Sequence, residues 1–293
     1  MGDEFETRVQ QFVRDSNAIL EPYLNTKYGL VLYSHKSTLR SNPVLFYGFN
    51  PGCEPSREHE IRWTIGQSLD YFSDGFDILK KRPSSDLIKS LRSERLHEEC
   101  NLIDDQCWPF PSFVDNYPMG QAPYQKNTRN LLRAIGHPGA LITNLLFLQS
   151  AKPTDIPKDQ RFEDACWRVH ELIFKITKPS LIVTCSTVLD RGLRRNLSLK
   201  LVPPPLDSGY GPPKGKWKCK QWEGKWRDEA MKDRRIVVCQ IPHMSYYDIA
   251  ADYSKKKGVA EWARGVLQDA TKARPPQRHV GGVIESAPKA VQV

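Results

Sequence analysis

The stretch Val44-Leu-Phe-Tyr-Gly-Phe-Asn-Pro-Gly52 decides the fold, because a fully apolar run breaks here into a tight polar turn. An apolar run without alternation is typical of a strand that is buried on both faces in a parallel sheet. Glycine and proline then force a turn at the carboxyl end of the strand, where open α/β sheets form their ligand crevice. Asn50 is the polar side chain of this turn. It either points into a crevice or satisfies local backbone groups, as Asn often does in turns.

Three further apolar runs predict the other strands of the sheet. They begin at Ala140, Pro179 and Ile236, and the first and last of them end in Asn144 and His243. Because helical segments alternate with these runs, the sequence predicts a three-layer α/β/α fold around a central, mainly parallel four-stranded sheet. Polar residues at three strand ends also predict one site assembled along one edge of that sheet.

The chain is expected to form one main domain with two short flanking segments. Residues 1–28 are predicted to be an N-terminal helix packed on the core, and residues 29–270 to be the α/β/α domain. Residues 271–293 are rich in Pro, Gln, Gly and Ser, which predicts a disordered tail. Apolar periodicity further predicts helices at 65–72, 85–99, 127–135, 161–176 and 255–270.

Composition limits the class of protein. No apolar run approaches the ~20 residues that cross a membrane, and the N-terminus lacks a signal pattern, so we expect the protein in the cytosol or nucleus. We also expect it to be a monomer. The seven cysteines form no Cys-x-x-Cys pair and are interpreted as reduced, mostly buried residues. Cys100 and Cys107 with His97 lack a second ligand pair at zinc-site spacing. We therefore expect no metal, iron–sulfur cluster or other cofactor.

The net charge of +9 is concentrated in one segment. Between Arg191 and Arg235, thirteen Lys or Arg residues stand against five Asp or Glu residues. Residues 214–227 interleave cations with tryptophans, which predicts contact with nucleic acid, since cations bind phosphates and indoles stack on bases. The alternative is a solvated hairpin whose tryptophans cover the core. The predicted phosphate contacts are Lys216, Lys218, Lys220 and Arg227.

Three motifs in order carry a resemblance to a known family. They are Gly48-Phe-Asn-Pro-Gly52, Asn144 at the end of a middle strand, and His243-Met-Ser245 after the last strand. Over about residues 44–247 the chain resembles the uracil-DNA glycosylase superfamily, and most of all its mismatch-specific and single-strand-selective branches. Met244 replaces the usual Pro of the second motif, and Tyr246-Tyr247 replaces its usual continuation.

The resemblance implies roles for the residues that handle the base. Asn50 would position the attacking water, and His243 would stabilise the negative charge on the departing base. Asn144 would read the edge of the flipped base, since an amide offers both a donor and an acceptor. The backbone beside Phe49 would contact the base, and Trp63 would stack on it, although Trp63 also fits the core.

The remaining residues would contact the DNA or set specificity. Ser245 would bind a phosphate or cap the following turn, and Met244 or Tyr246 would fill the gap left by the flipped base. At the place of Gly52 the main uracil-DNA glycosylases carry a Tyr that excludes the 5-methyl group of thymine. Gly52 has no side chain that could exclude a 5-substituent sterically, so 5-substituted uracils are expected substrates.

The sequence thus predicts a monofunctional DNA glycosylase that excises uracil or related deaminated bases and starts base-excision repair. Its expected partners are damaged DNA and downstream repair factors. Met244 and the amide at position 50 leave open a noncatalytic nucleic-acid-binding protein on the same fold. A nucleoside or nucleotide hydrolase is the third alternative, because fold does not fix function. The preferred base and the strandedness of the DNA do not follow from the sequence.

Overall fold

A computed structural model of the chain describes residues 2–34, 36–48, 64–74, 123–150, 156, 158–185, 192–207, 218–227, 232–243 and 259–272. Within these ranges the helices are α1 (Gly2–Leu20), α2 (Ile65–Asp74), α3 (Pro123–Ala134), α4 (Gln160–Thr177) and α5 (Val259–Thr271), with short helical turns at Glu21–Tyr23, Lys36–Thr38 and Arg194–Asn196. The strands are β1 (Val44–Gly48), β2 (Leu141–Asn144), β3 (Leu181–Cys185), β4 (Lys200–Asp207), β5 (Lys218–Arg227) and β6 (Asp233–Ile241).

The strands form one sheet in the order β2-β1-β3-β6-β5-β4. The four strands predicted from apolar runs are β1, β2, β3 and β6, and they pair in parallel. All of β1, β2 and β3 is buried, as expected for central strands covered on both faces. The mixed α/β class with a parallel centre is therefore confirmed.

The predicted number of strands, four, is wrong, because the described residues alone contribute six strands to the sheet. β5 pairs antiparallel with β6 on one side and with β4 on the other. Neither added strand carries a continuous apolar run: β4 contains three consecutive prolines, and β5 places lysines between its buried residues. Proline and lysine are typical of strands near a sheet edge, where one side needs no pairing.

Helices cover both faces of the sheet. Alternate residues of β1 belong to two different buried clusters, with Leu45 and Tyr47 on one face and Val44 and Phe46 on the other. The first cluster contains the buried sides of α1, α2 and α4, and the second contains those of α3 and α5. The N-cap Asp159 fixes the start of α4 by accepting the Phe162 N–H at 3.1 Å.

An extended segment flanks the outer edge of β2. Bridges join Gly29 to Leu148 and Leu32 to Thr143, and the Leu30 N–H donates to the Phe147 carbonyl at 3.0 Å. A Cβ at position 29 would lie only 1.5 Å from that carbonyl oxygen, so this close approach requires glycine. None of the helices within the described ranges combines the length and the apolar character that a membrane crossing needs.

Candidate functional site

The carboxyl ends of the parallel strands meet at one edge of the sheet. Gly48 of β1 lies beside Asn144 of β2, and Cys185 of β3 lies beside Ile241 of β6. The register also pairs Tyr47 with Thr184, so all four strands end at nearly the same level. The fold thus brings Asn144, the start of the first motif and the chain leading to His243 to one edge, as the sequence predicted.

Asn144 is the last residue of β2, and only 3% of its surface is exposed. The next residue, Leu145, donates its N–H to the Gly48 carbonyl at 2.9 Å, which fixes the backbone at this point. The Asn144 Nδ2 finds no hydrogen-bond acceptor in the part of the chain that the structure describes. A buried polar group without a partner costs about 1–3 kcal/mol. Such an amide is suited to a ligand that presents an acceptor.

His243 stands two residues after the end of β6. Pro242 is buried and His243 is exposed, so the chain leaves the sheet between them. The protein around the imidazole removes part of its solvent and lowers the pKa of His243 below the ordinary 6.5. Loss of solvent disfavours the charged form. At neutral pH His243 is therefore an uncharged imidazole, which can donate one N–H.

A buried hydrogen-bonded pair lies directly beneath this edge. Tyr47 and His170 are both fully buried, and the Tyr47 hydroxyl lies 3.1 Å from the His170 Nδ1. The His170 Nε2 lies 3.0 Å from the carbonyl oxygen of Leu145, the residue after Asn144. Burial lowers the pKa of His170 to about 4, although the Leu145 hydrogen bond opposes this shift, and burial raises the pKa of Tyr47.

Sequence reasoning misses this pair for two reasons. Tyr47 sits inside an apolar run, where the pattern indicates only a core residue. His170 lies 123 residues away, so no local pattern links the two. The one signal in the sequence is the position of His170 on the apolar face of α4, between Cys166 and Ile173, both of which are buried.

The amino end of β5 supplies cations near the site. Because β5 runs antiparallel to β6, Lys220 pairs with Gln240, three residues before His243. Lys218 and Lys220 share the sheet face of Trp222, since alternate residues of a strand point the same way. The Arg194 guanidinium covers the ring of Trp222, with its Cζ 5.5 Å from the ring centroid. Sequence reasoning places Arg194 within the basic segment but assigns it no role.

Arg227 is not brought to this edge. It pairs with Asp233 at the opposite end of β5 and forms an ion pair with it, with 3.6 Å between Arg227 Nε and Asp233 Oδ1. Seven residues of strand separate Arg227 from Lys220, or roughly 24 Å at ~3.4 Å per residue. Arg227 thus lies at the far end of β5 from the residues around His243, and its role as a phosphate contact stays a prediction.

Two of the three tryptophans predicted to stack on bases lie in the core instead. Trp222 and Trp226 are 8% and 7% exposed and belong to the cluster under α4. The Trp226 Nε1–H donates to the Pro179 carbonyl at 3.3 Å, and its ring lies 5.7 Å from that of Phe174. For these residues the alternative interpretation, tryptophans that cover the core, is the correct one.

Several predicted site residues lie outside the described residues: Phe49, Asn50, Gly52, Trp63, Lys216, Met244, Ser245 and Tyr246. Their proposed roles stay predictions. The same applies to Cys53, Cys100 and Cys107, whereas Cys166, Cys185, Cys219 and Cys239 are reduced, buried thiols as predicted. Among the residues described, no group of three or more His, Cys, Asp or Glu side chains is arranged to hold a metal ion.

Comparison with known proteins adds no relative to this description. The chain matches no protein-family model, and no curated protein is similar enough to count as a match.

Proposed function

We propose that the protein is a monofunctional DNA glycosylase of the uracil-DNA glycosylase type, acting on uracil or related deaminated bases in DNA. The observation that carries the proposal is the buried Asn144 amide at the carboxyl edge of the sheet, with its Nδ2 unpartnered among the described residues. Uracil presents a carbonyl acceptor and an N–H donor side by side at O4 and N3. One carboxamide matches both groups.

The reaction needs three tasks from the protein: it must hold the flipped base, stabilise the negative charge on the departing base, and position the attacking water. The base must leave the duplex, because the bond between sugar and base is unreachable inside the stack. As this bond breaks, its electrons go to the base and positive charge grows on the sugar carbon. Water then adds to that carbon and gives up a proton, while the departing base anion takes up a proton, so the products are a neutral free base and an abasic site.

His243 suits the stabilisation of the departing base. A neutral imidazole can donate its N–H to the carbonyl oxygen on which negative charge develops, and such donors give the largest single contribution in many enzymes. The lowered pKa of His243 supports this role, because it keeps the ring neutral at physiological pH. Asn50 would hold the water through its amide oxygen. An amide takes up no proton, so we expect slower excision than with a carboxylate there.

The two lysines at the amino end of β5 support DNA as the substrate. Lys218 and Lys220 lie at the end of β5 that is nearer to His243, and the Arg194 guanidinium covers Trp222 on the same sheet face, so a phosphate backbone could pass along this surface. A hydrolase for free nucleosides has no need of such a surface. A noncatalytic DNA-binding protein would use it equally well, and Met244 in the second motif favours that second candidate.

A panel of oligonucleotides separates these possibilities. Each would carry one uracil, 5-hydroxymethyluracil, mismatched thymine, hypoxanthine or xanthine, and alkali would then cleave the DNA at abasic sites. We expect cleavage after uracil and, because Gly52 has no side chain that could exclude a 5-substituent, after 5-hydroxymethyluracil as well. Binding of every oligonucleotide with no alkali-sensitive product would favour the noncatalytic protein. The variant Gly52→Tyr should no longer excise 5-hydroxymethyluracil but should still excise uracil.

A further inference from the structure

Three hydrogen bonds link four residues, Tyr47, Gly48, Leu145 and His170, into a ring beneath the candidate site. The Leu145 N–H donates to the Gly48 carbonyl at 2.9 Å, and the Leu145 carbonyl accepts from His170 Nε2 at 3.0 Å. Since a carbonyl only accepts, Nε2 carries the hydrogen of the neutral imidazole. The His170 Nδ1 then accepts from the Tyr47 hydroxyl at 3.1 Å, and Tyr47 directly precedes Gly48 in β1.

Packing holds this ring of hydrogen bonds in one arrangement. The His170 imidazole lies among three aromatic rings, with centroids 5.0 Å from Tyr47, 5.0 Å from Phe147 and 5.9 Å from Trp167. The Thr184 hydroxyl donates to the Tyr47 carbonyl at 3.0 Å, which ties β1 to β3 at the same level. His170 therefore joins α4 to the ends of β1 and β2 through directional bonds.

We propose that Tyr47 and His170 are positioning residues that hold Asn144 and the start of the first motif at a fixed separation. The inference rests on the proposed function, because these two strand ends would carry the base-reading amide and the water-positioning amide. Both backbone groups of Leu145 are fixed, one to Gly48 and one to His170, so the strand cannot shift after Asn144. Misplacement of a reacting group by about 1 Å can cost on the order of 10²-fold in rate.

The buried environment supports this role. A charged imidazole would carry a hydrogen on both nitrogens and could no longer accept from Tyr47. Because burial lowers the pKa of His170 to about 4, the ring stays neutral and keeps both hydrogen bonds at physiological pH.

The test compares His170→Phe with a matched control, Phe174→Leu. Both positions lie on the buried face of α4, but Phe174 packs on Trp167 and Trp226, and its side chain has no group that could hydrogen-bond to Leu145. We expect His170→Phe to slow single-turnover excision by roughly 10- to 100-fold with abasic-DNA affinity unchanged, the order of loss that a misplacement of about 1 Å causes. Phe174→Leu should keep the parent rate at a temperature where both variants are folded. His170→Gln, which retains a donor near the Nε2 position, should recover part of the rate.

Hydrogen exchange provides a readout that does not depend on activity. In His170→Phe the Leu145 amide should exchange roughly ten-fold faster relative to Phe174→Leu, because local opening of the β2 end costs less. Nitrogen chemical shifts of His170 in the parent should show the Nε2–H tautomer. If the parent releases no base, the proposed function fails, and exchange alone then decides on positioning. Equal exchange in the two variants, or equal excision rates, would overturn the inference.

Discussion

Asn144 and His243 differ in their exposure to solvent and in how firmly the fold holds them. Asn144 is buried and its backbone is locked, so it loses little freedom when a base arrives. His243 is exposed at the exit of β6, where it can reach a substrate held at the edge of the sheet. The proposed site therefore combines a rigid reader of the base with a neutral donor placed closer to solvent.

Replacement of His243 tests the donor role. His243→Ala should lower single-turnover excision by roughly 10²–10³-fold, the usual loss when one donor to a developing oxyanion is removed. The free energy of unfolding should change little, because the side chain is exposed. Rate and unfolding are measured on the same preparation, and an unchanged excision rate would remove His243 from the mechanism.

The positions of Asn144 and His243 could be predicted because Asn144 ends, and His243 closely follows, a strand that the apolar pattern identifies. The Tyr47–His170 pair could not, since it depends on how α4 packs against β1 across 123 residues of sequence. Local patterns specify which residues end a strand. They do not specify which distant side chain reaches its backbone.

The strand β5 illustrates the same limit for whole elements. Four strands were predictable because their apolar runs are continuous, whereas β5 alternates cations with buried residues and resembles a surface hairpin in sequence. Its tryptophans pack on the core while its lysines stay at least partly exposed. The sequence thus correctly indicated that this element is basic. It did not indicate that Trp222 and Trp226 are buried in the core, because burial depends on the neighbouring strands.

The two ends of β5 allow a matched test of DNA binding. The double variant Lys218→Gln and Lys220→Gln should weaken DNA binding and reduce its salt dependence by about one unit of slope for each phosphate that the protein no longer neutralises. The control, Lys225→Gln with Arg227→Gln, removes the same charge from the same strand at the opposite edge of the sheet. Affinity is measured over a range of salt concentrations. Equal slopes for the two double variants would show that the end near His243 makes no special interaction with DNA.

For the whole molecule, the buried His170 predicts a sensitivity to acid. Its pKa is about 4 in the folded protein and near 6.5 when unfolded, so the unfolded chain takes up the proton first as the pH falls. Its contribution to stability is therefore complete above about pH 6.5 and is lost toward pH 4. Between pH 7.5 and pH 4.5 this amounts to about 2–3 kcal/mol, at ~1.4 kcal/mol per pKa unit.

Urea unfolding at these two pH values measures the effect. The loss of unfolding free energy on acidification should be smaller in His170→Gln than in the parent by about that amount, because glutamine does not titrate. The comparison between the two proteins cancels the carboxylates, which both share. The same loss in both would mean that His170 is not the group responsible.

The central claim is that the carboxyl edge of this sheet reads and releases a damaged base. The most direct measurement follows the release of labelled uracil from DNA under single-turnover conditions, for the parent and for Asn144→Ala, with abasic-DNA affinity determined alongside. The claim predicts release by the parent and a loss of roughly 10²-fold or more in the variant, with abasic-DNA affinity nearly unchanged because the phosphate interactions survive. Release at the parent rate by Asn144→Ala, or no release by a parent protein that binds the DNA, would contradict it.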